Sequence, residues 1–137
     1  MKLKVLGLAG IASSLFALPA LAHHSFAMFD QSKLVYITGK VKQFEWVNPH
    51  AWLHLTISTP DGKEATWSFE AGSVAQLASL AWKPESFHAG DEVRIGFRPM
   101  KDSSRGGQLM SVTLANGQKL CSNRGCGDGT GSVLAPF

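Results

Sequence analysis

From His50 to Ile57 the chain alternates without a fault: Ala51, Leu53, Leu55 and Ile57 fall on one parity, and His50, Trp52, His54 and Thr56 on the other. Successive side chains of a strand point to opposite faces, so this run fits a half-buried strand and no helix. Asn48-Pro49 breaks the chain before it, and Pro60-Asp61-Gly62 turns the chain after it. Two further strand-like runs flank it. Leu34 to Phe44 sets Val35, Ile37 and Val41 against Tyr36, Thr38, Lys40 and Lys42, and Ala65 to Phe69 sets Ala65, Trp67 and Phe69 against Thr66 and Ser68.

Ser73-Val-Ala-Gln76 reads as a capping box, with the Ser73 hydroxyl accepting from the Gln76 backbone and the Gln76 side chain reaching back. A short helix follows to about Trp82, with Val74, Leu77, Ala78 and Ala81 at helical spacing, and Pro84 stops it. A fourth strand carries Val93, Ile95 and Phe97 inward with Arg94 and Arg98 opposite; its partner, Leu109 to Leu114, is reached through a polar Gly106-Gly107 loop. Asn116-Gly117 then turns the chain toward Leu120. Strand, strand, strand, helix, strand, strand is the order of an oligonucleotide/oligosaccharide-binding (OB) barrel. The expected fold is therefore mainly β, a small five-stranded OB-like barrel with one short helix between strands 3 and 4 plugging its bottom. Closure removes the exposed edges that the competing open sheet would present.

The start of the chain is of another kind. Lys2 and Lys4 precede an apolar run from Val5 to Leu18, and Ala20-Leu21-Ala22 offers small residues where a signal peptidase cuts. Residues 1–22 thus read as a secretory signal, and the mature protein as periplasmic. The whole chain has 137 residues, 13 Lys and Arg, 10 Asp and Glu, and a charge of +3. Losing 22 residues, two of them lysines, leaves 115 residues with 11 basic and 10 acidic side chains. No basic surplus remains to recommend nucleic acid as a partner, and no later run is long and apolar enough to form a transmembrane helix. One domain is expected, with an N-terminal arm over 23–33, the barrel over 34–120 and a Gly-rich mobile tail over 121–137. Cys121 and Cys126, the chain's two cysteines, fit a disulfide closing a small loop in that tail, as export favours.

Cleavage after Ala22 makes His23-His24 the new N-terminus, so a free α-amine lies beside two imidazoles. Amine and ring of one residue can chelate a cation, and Cu(II) heads the affinity order for nitrogen donors in tetragonal geometry. A further imidazole could come from His50 or His54, because the residues between His24 and the first strand are long enough to fold back across the barrel. On a regular strand His50 and His54 stand about 13 Å apart and cannot share one ion. The turn at Asn48-Pro49 makes His50 the better ligand, while His54 is expected to hydrogen-bond on the outer face beside Trp52 if it does not ligate. Asp30 fits a turn, Met28 an anchor of the arm and His88 the surface. Trp52 is the exposed aromatic candidate for stacking a small ligand, and Arg94 and Arg98 offer positive charge to an anionic group. No nucleophile elbow, phosphate loop or His-Glu-x-x-His string is present, which argues against an enzyme.

His23-His24-Ser-Phe-Ala-Met-Phe-Asp30, Thr38-Gly-Lys-Val41 and Glu45-Trp-Val-Asn-Pro-His-Ala-Trp52 resemble the exported proteobacterial family catalogued as domain of unknown function 6152. The resemblance covers about 23–120 and implies a small exported β domain whose recurring polar features are the opening His pair and Asn48-Pro49-His50. The expected function is a periplasmic metal-binding carrier or sensor, with Cu(II) as ligand. The alternatives are a non-catalytic barrel that binds a small anionic ligand or a protein partner, and a copper-dependent oxidase. Carrier and oxidase use the same ligands and differ in open coordination positions, which a sequence does not separate.

Overall fold

One long strand pairs on both sides, and that is what closes the sheet. In the computed structural model, which describes residues 26–123, 126 and 132–133, β1 (Val35–Glu45) runs antiparallel to β4 (Glu92–Pro99) through Val35–Lys40 and to β2 (Trp52–Ser58) through Lys40–Glu45. A bulge between Val41 and Gln43 lets the strand bend from one partner to the other. β2 pairs β3 (Glu64–Glu70), β3 pairs β5 (Gly106–Leu114) in parallel, and β5 pairs β4. The circuit β1-β2-β3-β5-β4 returns to β1, giving the closed five-stranded barrel that the element order implied.

The inward parity fills the barrel. Leu53, Leu55, Phe69, Ile95, Phe97 and Val112 are fully buried, and each such side chain contributes roughly 1.5–3 kcal/mol by leaving water. The helix α1 (Val74–Ser79) lies between β3 and β4 and sends Leu77 into this core. It ends earlier than the spacing suggests. Ala81 takes a left-handed φ of 68°, the Trp82 amide donates to the Leu77 carbonyl at 3.1 Å, and Trp82 turns into an aromatic cluster with Phe44 and Phe87. Only half of the capping box forms. Ser73 Oγ accepts from the Gln76 amide, but the Gln76 side chain donates to the Ser122 carbonyl at 3.1 Å, a tertiary bond in place of the local one.

Gly106-Gly107 is not a loop but the first pair of β5, where the barrel closes. A Cβ on Gly106 would stand 2.1 Å from the Ser68 carbonyl oxygen, and one on Gly107 2.1 Å from that of Arg98. Only glycine lets three backbones approach so closely. Two short strands lie beyond the barrel: β6 (Lys119–Cys121) returns along β5 after the Asn116-Gly117 turn, and β7 (Ser132–Val133) pairs parallel to β1. The described residues of the segment expected as a tail are tied in. Trp82 Nε1 donates to the Cys121 carbonyl at 2.8 Å, Ser122 is buried with its amide on the Met110 carbonyl, and Cys121 and Cys126 form a disulfide with Cα atoms 4.7 Å apart. No helix among the described residues is long and apolar enough to cross a membrane.

Candidate functional site

The Asn48-Pro49-His50 element is fixed from both sides. Asn48 Oδ1 accepts from the Val74 amide at the start of α1, and Ala51 exchanges backbone bonds with Gly72 and Ala71 at the exit of β3. The Asn48–Pro49 bond is cis. This loop presents a half-buried His50 whose Nδ1 lies 3.2 Å from the Ala71 carbonyl oxygen and 3.5 Å from Glu70 Oε1. A carbonyl oxygen only accepts, so Nδ1 carries the hydrogen.

Glu70 was not among the residues singled out from sequence. It shares the outer parity of Ser68 at the end of β3, where a carboxylate should be solvated, yet it is 6% exposed. Phe29 of the N-terminal arm lines the same clefts as Glu70. A 3-10 turn at Phe26–Met28 leads into Phe29, which is 3% exposed and bridges to Met100, while Asp30 N donates to the Pro99 carbonyl and Lys101 N to that of Met28. Phe29 is therefore the anchor, whereas Met28 is exposed. Arg98 Nη1 donates to the Gln31 carbonyl, and Gln31 Nε2 donates to Gln108 Oε1 at 3.2 Å. Asp30 is a turn residue. It accepts from the Ser32 amide and hydroxyl and from Lys33, and the Ser32 bond above all holds its carboxyl down at about 2.

Strapped in this way, the arm makes two adjoining clefts that share Phe29 and Glu70. One, about 160 Å³, has Phe26, His50, Gln76, Gln108 and Asn123 among its walls; the other, about 190 Å³, has Met28, Trp52, Met100 and Arg105. His50 and Trp52 are thus brought to one place, on either side of Glu70. His54 is differently placed. Its Nδ1 meets Ser68 Oγ at 2.8 Å, its Nε2 lies 3.2 Å from Glu45 Oε1 without hydrogen-bond alignment, and its ring stacks on Trp52 at an interplanar angle of 9°.

Arg94 and Arg98 do not act as a pair. Arg98 holds the arm, and Arg94 stands over the Tyr36 ring at 4.8 Å in a cleft of about 380 Å³ walled also by Lys40, Thr56 and Glu92. His88 is exposed beside Asp91. His23 and His24 lie outside the described residues, as do residues 1–22. Among the described residues no three His, Cys, Asp or Glu side chains converge as a metal site would require.

The sequence model of the family of unknown function DUF6152 matches residues 11–110. The chain belongs to this family. The match spans the arm, the Asn-Pro-His element and most of the barrel. No curated protein and no solved structure matches the chain.

Proposed function

We propose that the exported chain, cleaved after Ala22, is a periplasmic copper(II)-binding carrier or sensor. The His23 amine and ring, a nitrogen of His24 and the His50 ring would hold the ion. One observation carries this reading: Phe26, at the head of the arm, and His50 wall the same cleft. His24 precedes Phe26 by two residues, so covalent reach keeps its Cα within about 7.6 Å of the Phe26 Cα. Amine, imidazoles and a nearby carboxylate form a nitrogen-rich donor set that suits Cu(II) in tetragonal geometry. His54 lines neither cleft; its Nδ1 meets Ser68 Oγ and its ring stacks on Trp52.

Titration of mature protein beginning at His23 is expected to show one tight Cu(II) site. A chain with a single alanine added before His23 loses the terminal amine as a ligand, and its affinity should fall beyond the ~10–100-fold that outer-shell losses cost. Equal binding by the two would overturn the reading.

A second reading draws on the Tyr36 and Arg94 cleft, where a guanidinium over an aromatic ring beside Lys40 suits a small anion with a flat apolar body. Under it, Arg94→Ala abolishes ligand binding and leaves copper affinity untouched.

A further inference from the structure

A serine, a histidine and a glutamate stand in line across the outer face of the barrel, one on each of three neighbouring strands. Ser68 on β3 and His54 on β2 are direct cross-strand partners, and Ser68 Oγ lies 2.8 Å from His54 Nδ1. Glu45 on β1 is on the other side of the ring, its Oε1 3.2 Å from His54 Nε2. Trp52, two residues back along β2, stacks on the imidazole at an interplanar angle of 9° and holds its plane. His54 Nε2 is buried with no aligned hydrogen bond, so the charge beside it decides which ring nitrogen carries the hydrogen. A carboxylate oxygen only accepts: it repels a lone pair and attracts an N–H. The tautomer this setting favours has its hydrogen on Nε2 and its lone pair on Nδ1, where the Ser68 hydroxyl donates to it.

A hydroxyl bonded to a basic imidazole whose far nitrogen faces a carboxylate is the arrangement that turns serine into a nucleophile, and it is recognised by geometry and roles rather than by chain order. The bond to the carboxylate is often poorly aligned until substrate is in place. A Ser–His pair that only tied two strands together would need neither the acid nor an opening. Ser68 has both, for it also lines the cleft of about 190 Å³ in which Met28, Phe29, Trp52 and Met100 supply apolar wall and Arg105 a cation. The hydroxyl therefore reaches the cleft with His54, whose side chain is 19% exposed, as its neighbour on the sheet.

We infer that Ser68, His54 and Glu45 form an acyl-transfer site that hydrolyses small carboxylic esters. Ser68 Oγ attacks the ester carbonyl carbon while its proton passes to His54 Nδ1. The bond from that carbon to the alcohol oxygen breaks, and the alcohol leaves with the proton from His54. Water then attacks the acyl-Ser68 ester and gives a proton to Nδ1; the carboxylic acid departs as Ser68 Oγ takes that proton back. Glu45 transfers no proton and acts as a positioning residue through His54. Charge that develops on the carbonyl oxygen falls to Arg105, the cation on the same wall. The cleft is smaller than the ~300–1,000 Å³ of sites for drug-sized ligands, so it suits a short apolar acyl group. The site uses none of the copper ligands named above.

A fluorophosphonate, which an activated serine attacks with loss of fluoride, tests this on mature protein freed of metal by a chelator. Peptide mass mapping is expected to place one adduct on Ser68, and 4-nitrophenyl acetate should be hydrolysed above background by wild type but not by Ser68→Ala. Glu45→Gln should slow labelling by about 10²–10⁴-fold, the range that a well-set general base contributes. E45D, which restores the charge one methylene short, should recover part of that loss. The wild-type adduct depends on no variant's folding: its absence, or its appearance only at other residues, overturns the inference. Ester hydrolysis equal in wild type and S68A overturns it too. So does equal labelling of wild type and E45Q, for Ser68 and His54 are then an ordinary cross-strand pair. Each of these outcomes leaves the copper reading as it stands.

Discussion

The two ends of the His50–His54 segment carry the same side chain on the same parity and are treated in opposite ways. At His54, opposite the bulge of β1, the neighbours are strand residues of β1 and β3, Nδ1 meets Ser68 Oγ, Nε2 is buried near Glu45 without a hydrogen bond, and the ring stacks on Trp52. At His50 the chain has just left the Asn48-Pro49 turn, one nitrogen is held by Ala71 and Glu70, and the ring borders a cleft capped by the N-terminal arm. The first sits among strand residues, the second at the rim of a cleft.

The largest effect that could break this contrast is on copper. His50→Ala should weaken Cu(II) binding of the mature protein by about 100-fold or more, the upper end of what a ligand's supporting shell costs, with little change in metal-free stability. His54→Ala should do the reverse. Loss of its Ser68 bond and its stacking on Trp52 should lower unfolding free energy by about 1–2 kcal/mol in urea titration, with copper affinity held within a few-fold. If the two variants behave alike in both assays, the distinction between the ends is wrong.

Arg98→Ala sharpens the role of the arm. It removes the bond to the Gln31 carbonyl and should weaken copper binding by about fivefold, the equivalent of ~1 kcal/mol, and speed hydrogen exchange at the Asp30 amide.

Acid gives the smallest effect. Asp30 is held at about 2 against an ordinary 3.8, and the Asp61 and Asp102 carboxyls are lowered by their bonds to Thr59 and Ser104. Above the ordinary value all three are ionised folded or unfolded, and their stabilisation is fully present. As pH falls from about 4 toward 2 the unfolded chain takes up protons that the folded chain refuses, so stability declines across that window. Because these groups are exposed, the shift in urea midpoint should be small and should shrink in high salt.

Much of the barrel was legible because a strand with one buried face writes its parity into the chain. Leu53, Leu55, Trp67, Phe69, Ile95 and Phe97 all face inward as their alternation requires. Gly106-Gly107 was read as a loop because glycine signals turns as readily as close contact, and only the parallel approach of β3 shows which meaning applies here. The site was legible to a lesser degree. His50 and the arm were visible as a spacing and a turn, but Glu70 was not, since its parity in Trp67-Ser-Phe-Glu70 points to solvent. It lines the same clefts as Phe29, some forty residues away in the chain. Arg98 was read as a site for an anion for the same reason: the Gln31 carbonyl that occupies it arrives from the arm.

The most direct test counts the nitrogens on the metal. Electron paramagnetic resonance of the mature protein loaded with one equivalent of Cu(II) should show a nitrogen-rich tetragonal site, with one coordinated nitrogen fewer in His50→Ala and no change in His54→Ala. An identical spectrum for wild type and His50→Ala would contradict a site shared between the N-terminus and the mouth of β2.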